Sequence, residues 1–213
     1  MNSEQLVALK RLAKQKNYGG SPSHAKQVMR LSTRIYKELV RLGMLHKSKN
    51  DKTILRSASL LHNTGLPEEP HNKTGFDMLS IEIPRALSTI PLAQEDLSTI
   101  LYCVLWHRGR AFKQRGHVEI KDRPHVRKMA AILRVADGLD RSLMQVVENV
   151  SLNLIGGRLR FSISATQAAD AEIKRADEKA DLMREAFGVT AIEFTDADSV
   201  SHGKITKVRK KHE

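Results

Sequence analysis

Cysteine, aromatic residues and long apolar runs are all scarce in this chain. Cys103 is the only cysteine among 213 residues, which excludes an intramolecular disulfide and favours a reducing compartment, so we expect a cytoplasmic protein. Aromatic residues make up 4% of the chain, which argues against the base-stacking surfaces of proteins that bind single-stranded nucleic acids. The polar N-terminus predicts no signal peptide, and no run approaches the roughly 18 apolar residues that a membrane span needs.

Positive charge is abundant and grouped. The formal net charge is +12; residues 1–60 carry 13 basic and 3 acidic residues, and residues 101–134 carry 9 basic and 2 acidic residues. Such segments favour a polyanionic partner, namely polyphosphate, a phosphorylated nucleotide or a nucleic acid. The alternative is that these charges only form solvated helix faces.

Helical periodicity dominates the first two thirds of the chain. Apolar residues recur at helical spacing, and Gly43 and Gly65 follow two of the predicted helices. Pro84 is expected to kink or end the helix that contains it. Helices are predicted over residues 3–16, 23–43, 52–62, 76–87, 93–107 and 124–146.

After residue 147 the pattern changes to alternation. Residues 148–155 and the segment RLRFSISA alternate around Gly156-Gly157, which predicts a hairpin. A charged helix over 168–187 and a strand over 189–194 complete a β-β-α-β unit. We therefore expect a mainly α protein. Its predicted parts are an N-terminal amphipathic helix and turn (1–20), a helical bundle (21–147), a small β-β-α-β unit (148–196) and a basic tail (197–213). The N-terminal helix either covers the bundle or contributes to a homodimer.

A scattered set of polar residues is the strongest functional signal. His24, His62-Asn63, His107 and Asp137 lie on predicted helices or at their ends, and ligands from facing helices can converge on one metal ion. Asp137 stands between Val135 and Leu139, and a carboxylate is costly to bury there without a cation or hydrogen-bond donors. For each histidine taken alone, a buried structural role is the alternative.

Basic side chains near this set predict a phosphate-binding surface. Positions 26, 30 and 34 share one face of a helix, which would suit a chain of phosphates. Arg141 follows Asp137 by four positions and either contacts phosphate or forms an ordinary ion pair on the helix surface. The candidate phosphate-binding residues are Lys26, Arg30, Arg34, Arg108, Arg110, Arg127, Lys128 and Arg141.

Four segments together resemble a known family. His24, LLHNTG, WHRG and ILRVADGLDRS resemble an HD-domain phosphohydrolase, and more closely the C-terminal helical domain of the exopolyphosphatase / guanosine pentaphosphate phosphatase family. The similarity runs from about Ser21 to Phe194. It implies an HD-type helical bundle followed by a small α/β unit. It also implies metal ligands at His24, His62, Asn63 and Asp137, with His107, Arg108 and Asp137 as the catalytic residues.

The chain departs from that family pattern at three points. Asn63 stands where the family has an acidic residue, Thr74 stands where a second loop histidine is expected near His71, and no glycine-rich phosphate loop is present. The resemblance therefore implies one Mg²⁺ or Mn²⁺ ion, with Asn63 as a weak ligand or as a hydrogen-bond partner of the metal-bound water. Any catalysis would belong to the helical domain itself.

Three functions remain open from the sequence. The first is a metal-dependent phosphohydrolase that acts on polyphosphate or a phosphorylated nucleotide. The second is a non-catalytic module with a decayed metal site that binds polyphosphate or an alarmone, as a partner of a separate actin-like phosphatase chain. The third is a nucleic-acid binder, against which the few aromatic residues and the lack of a recognisable nucleic-acid-binding motif both argue.

Overall fold

The chain folds into a helical bundle followed by a small mixed sheet. The computed structural model describes residues 1–64, 76–108 and 123–197. Within these residues the structure is mainly helical, with a three-stranded sheet near the C-terminal end, which confirms the predicted fold class. The helices are α1 Ser3–Gln15, α2 Pro22–Arg41, α3 Lys49–Leu61, α4 Phe76–Ala86, α5 Gln94–Trp106, α6 Pro124–Gly138, α7 Asp170–Glu178 and α8 Asp181–Phe187, with a 3₁₀ turn at Asn17–Gly20. The strands are β1 Val147–Ile155, β2 Arg158–Ala165 and β3 Ala191–Asp196.

The centre of the bundle is formed by α2, α3, α5 and α6. Helix α2 buries an apolar stripe at Val28, Leu31, Ile35 and Leu39, as expected for an amphipathic helix that faces a core. Trp106, at the end of α5, is 1% exposed, so the only tryptophan is a core residue. Among the described residues, no helix combines the length and apolar character needed to cross a membrane.

The sheet has the order β1-β2-β3 and leaves β1 at one edge. Strand β1 pairs antiparallel with β2 through the turn at Gly156-Gly157, and β2 pairs parallel with β3. Both glycines have positive φ values, which the tight hairpin requires and which side chains with a Cβ disfavour.

Helix α2 covers the free edge of β1 with polar side chains. Gln27 and Arg30 donate to the carbonyl of Val147, and Arg30 also donates to the carbonyl of Glu148. Further along, Arg34 Nε donates to the Val150 carbonyl at 2.9 Å. Exposed strand edges invite pairing with other chains, and these bonds satisfy the edge from within the molecule.

The same pattern continues to the end of α2. Arg41 donates to the carbonyl of Leu152, and the Leu152 amide donates to Glu38 at 3.3 Å. Glu38 also accepts from Arg41 Nη2 at 2.9 Å, so one carboxylate links the helix, its own arginine and the strand. We call the set formed by Gln27, Arg30, Arg34, Glu38 and Arg41 the edge-capping set.

Two predicted helices differ from the structure in ways that matter for the site. The helix predicted over 124–146 ends at Gly138, whose backbone packs directly against α7: a Cβ on Gly138 would lie 2.7 Å from the Ala176 Cα. The helix predicted over 168–187 is broken at Lys179 and Ala180 into α7 and α8. Pro84 does not end its helix, since α4 continues to Ala86.

Candidate metal centre

The polar residues singled out in the sequence meet where several helices end. His62 is the C-cap residue of α3, His107 is the C-cap residue of α5, and Asp137 lies in the last turn of α6. Lys179 is the C-cap residue of α7. Helix C-termini carry partial negative charge, so this convergence favours a cation. His24 completes the group from the first turn of α2.

Three donor atoms face one another at short range. His24 Nε2 lies 3.1 Å from Asp137 Oδ1 and 3.2 Å from His62 Nε2, and His62 Nε2 lies 3.4 Å from Asp137 Oδ1. Neighbouring ligand atoms around a cation with bonds of about 2.1 Å lie roughly 3.0–3.4 Å apart. The three residues are thus spaced as one metal ion requires.

The other ring nitrogens hold both imidazoles in place. His62 Nδ1 donates to the carbonyl of Ser59 at 2.6 Å, and His24 Nδ1 lies 2.8 Å from Asp140 Oδ2. Because a carbonyl can only accept, Nδ1 of His62 carries a proton, and Nε2 is the nitrogen that remains to face a cation. Metal-binding histidines are typically oriented by such a bond from the nitrogen that does not ligate.

Asp140 is a supporting residue, and it is fully buried. Its Oδ1 accepts from the Gln145 amide at 2.9 Å, while its Oδ2 meets the His24 ring. Gln145 and Leu143 both have positive φ values, so the segment after α6 takes up an uncommon backbone conformation to reach this carboxylate. Asp140 follows Asp137 by three positions, a spacing that places two residues of a helix on one face.

The charges in the centre are strongly coupled. Burial alone would lower the pKa of His24, but its hydrogen bonds to Asp137 and Asp140 outweigh burial and raise that pKa to about 9. Burial would raise the pKa of Asp137, but its contacts with His24, His62 and Lys179 hold that pKa well below its ordinary value. At neutral pH the protein therefore balances an ionised Asp137 with a protonated His24.

Lys179 is the member of the centre that the sequence did not reveal. Its ammonium group forms an ion pair with Asp137 Oδ2 and donates to the His107 carbonyl at 3.2 Å. Burial lowers the pKa of Lys179, and the neighbouring Asp137 opposes that effect. Lys179 follows Asp137 by 42 positions within a charged segment, and no local pattern distinguishes it from its neighbours.

His107 and Arg108 form the side of the centre that leads to the surface, where His107 is buried and Arg108 is exposed. The His107 ring lies edge-on to the His62 ring, with centroids 5.0 Å apart. His107 Nδ1 donates to the Val104 carbonyl at 2.5 Å, and its Nε2 accepts from Arg108 Nε at 3.1 Å. Burial, together with His62, Lys179 and Arg108, keeps the pKa of His107 well below 6.5. His107 is therefore a neutral ring that orients Arg108.

Asn63 takes part in this side of the centre and not in the group of three donors. Its Oδ1 accepts from Arg108 Nη2 at 3.0 Å, so the oxygen that was predicted to be a weak metal ligand is directed at a guanidinium group. The backbone of Asn63 touches Gly19: a Cβ on Gly19 would lie 2.0 Å from the Asn63 carbonyl oxygen. This close approach joins the turn before α2 to the end of α3, the parts of the chain next to His24 and His62.

Four of the eight predicted phosphate-binding residues have partners away from the three donor atoms. Arg30 and Arg34 belong to the edge-capping set, Arg127 pairs with Glu185 at 2.9 Å, and Lys128 lies 5.3 Å from the ring centre of Phe187. These contacts are internal, so they lend no support to a phosphate-binding role. Lys26 and Arg141 are exposed. Arg110, His71 and Thr74 fall outside the described residues.

The donor chemistry can be tested against the predicted ions. Imidazole nitrogen suits transition metals, whereas Mg²⁺ prefers oxygen ligands and retains most of its water. A site made of His24, His62 and one oxygen of Asp137 therefore fits Mn²⁺ better than Mg²⁺. The residues of the centre are compatible with one such ion.

No family model matches the chain, and none of the curated proteins matches it significantly. The chemistry of the site therefore rests on its own geometry.

Proposed function

We propose that this chain is a metal-dependent phosphohydrolase that acts on polyphosphate or a phosphorylated nucleotide, as the resemblance to HD-domain proteins implies. The observation that carries the proposal is the group of three donor atoms separated by 3.1, 3.2 and 3.4 Å, two of them imidazole nitrogens. A divalent cation held there supplies Lewis acidity and lowers the pKa of a bound water.

The residues of the chain divide the remaining work. Arg108 is exposed, already oriented by His107 and Asn63, and beside the donor atoms. Guanidinium groups bind phosphate oxygens through charge-assisted hydrogen bonds, so Arg108 orients the phosphoryl group. Both ring nitrogens of the neutral His107 are engaged. For that reason we assign His107 a positioning role and not a proton-transfer role.

The test is phosphate release from long-chain polyphosphate with Mn²⁺ or Mg²⁺. We expect Asp137→Asn to lower the rate at least a hundredfold, since losing a ligand should cost no less than the 10- to 100-fold that supporting residues cost. The matched control is Asp170→Asn, which removes an exposed carboxylate at the start of α7 and should change the rate less than twofold. Equal rates in the wild-type and Asp137→Asn proteins would contradict the proposal.

A second function is favoured by the contacts of Asn63 and Lys179. Asn63 supplies no negative charge, and Lys179 already pairs with one oxygen of Asp137. Both features suit a module that binds phosphorylated anions without metal. Such a module would bind polyphosphate in the presence of a chelator at 50 mM salt, would lose affinity steeply as salt rises, and would release no phosphate.

A further inference from the structure

The two oxygens of Asp137 have different partners. Oδ1 faces the imidazole nitrogens of His24 and His62, whereas Oδ2 is paired with the ammonium group of Lys179. A carboxylate in this arrangement can offer a metal ion only one oxygen. Its negative charge is already shared with a cation that belongs to the protein.

Lys179 is held in this position by the fold and not by chance proximity. Its side chain is 9% exposed, and its ammonium group also donates to the carbonyl of His107 at the end of α5. The backbone contact between Gly138 and Ala176 fixes the end of α7 against the end of α6. Three helix ends thus fix one ammonium group.

The surroundings favour positive charge in general. Asp137 and Asp140 lie in the centre, and four helices present their C-terminal ends to it, where cations are stabilised. A divalent ion and the ammonium group of Lys179 would both be stabilised there. Because like charges separated by a few ångströms repel strongly in a buried site, the presence of one cation should weaken the binding of the other to Asp137.

We propose that Lys179 is a resident cation of the metal centre, a specificity-determining residue that weakens divalent-metal binding and confines Asp137 to one ligand oxygen. Lys179 acts through Asp137 and is a positioning residue in the proposed reaction. The consequence is a centre that is loaded only at high metal concentration and that keeps its geometry when empty of metal. This inference deepens the proposed function and assumes the same three donor residues.

The test is titration of the chelator-treated protein with Mn²⁺ by calorimetry, without substrate. We expect Lys179→Met to bind Mn²⁺ at least tenfold more tightly than wild type, and Lys179→Arg, which keeps the charge, to stay within threefold of wild type. Lys174→Met is the matched control, since Lys174 is an exposed lysine on the same helix, and it should leave the affinity unchanged. Equal or weaker Mn²⁺ binding by Lys179→Met would overturn the inference.

A second variant guards against a failure to fold. Lys179→Gln removes the charge but keeps a hydrogen-bond donor for the His107 carbonyl, and it should also bind Mn²⁺ more tightly than wild type.

The proposed function and the inference about Lys179 can fail independently of each other. If Lys179→Met gains Mn²⁺ binding while the wild-type protein releases no phosphate, the inference stands and the proposed function falls. If phosphate release depends on Asp137 but substitution of Lys179 leaves the Mn²⁺ affinity unchanged, the proposed function stands and the inference about Lys179 falls.

Discussion

Helix α2 carries two sets of polar side chains, and each set includes residues that the sequence predicted to be functional. At its first turn, His24 points into the candidate metal centre and meets Asp137 and Asp140. Along the rest of the helix, the edge-capping set bonds to the main chain of β1. The sequence predicted a metal ligand at His24 and phosphate-binding residues at Arg30 and Arg34 of the edge-capping set. The difference teaches that a charged residue on an amphipathic helix acquires its role from the element it faces.

The two sets also differ in the polar atoms that they meet. The edge-capping set meets backbone carbonyls and one amide, which are partners that any strand edge offers. His24 meets side chains from α3 and α6 and from the segment after α6, which only this packing brings together. Substitutions should therefore separate the two regions: changes near His24 should alter metal binding, and changes in the edge-capping set should alter stability.

The largest effect is expected at the turn before α2. Gly19→Ala would place a Cβ 2.0 Å from the Asn63 carbonyl oxygen, at a φ of +71°. Strain at positive φ and overpacking each cost about 1–3 kcal/mol, so we expect a loss of about 3 kcal/mol in unfolding free energy and weaker Mn²⁺ binding. Urea denaturation and calorimetry would measure the two quantities.

Gly43→Ala is the control for that experiment. Gly43 has a φ of +70°, and a Cβ there would meet nothing within 4 Å, so this variant reports the backbone strain alone. If both variants lose the same stability and neither changes Mn²⁺ binding, the close approach of Gly19 to Asn63 does not position the centre.

The next effect concerns pH and the metal-free centre. The pKa of His24 is raised to about 9 in the folded protein, from 6.5, so its contribution to stability is fully present below pH 6.5 and is lost as pH rises through 9. The shift corresponds to at most about 3 kcal/mol. Urea denaturation in chelator from pH 6 to 10 should show this decline, and His24→Gln should flatten it.

His125→Gln provides the comparison for His24→Gln. His125 is an exposed histidine at the start of α6, 3.2 Å from Asp51, and its removal should leave most of the decline between pH 6 and 10 in place. A decline of the same size in the wild-type and His24→Gln proteins would show that other groups cause it.

The smallest effect is expected in the edge-capping set. Arg30→Met together with Arg34→Met removes charged donors to three carbonyls of β1, which should cost about 2 kcal/mol of unfolding free energy, since hydrogen bonds to charged groups contribute about 1.5–3 kcal/mol when buried and less at the surface. Affinity for polyphosphate should fall no further than in the control pair.

The control pair is Lys10→Met with Lys37→Met, which removes the same charge from exposed positions of α1 and α2 and should leave stability nearly unchanged. The comparison between the two regions would break down if the arginine pair kept full stability but lost polyphosphate binding. The sequence-based prediction of a phosphate-binding stripe would then be correct after all.

Much of the architecture followed from local patterns. Helical spacing predicted the bundle, and alternation around Gly156-Gly157 predicted the hairpin, because both signals depend on neighbouring residues. The early end of α6 and the break between α7 and α8 could not be predicted in this way. Near both changes Gly138 packs against Ala176, a contact between residues far apart in the chain that local patterns do not contain.

The sequence by itself determined the fold class. It also identified His24, His62, His107 and Asp137 as candidate site residues, since residue type and helix position suffice to recognise them. Only the tertiary structure decided that the first, second and fourth of these converge within 3.4 Å. It likewise directed Asn63 to Arg108 and brought Lys179 to Asp137. The physical reason is that convergence depends on how helix ends pack against one another, and that packing is a property of the whole core.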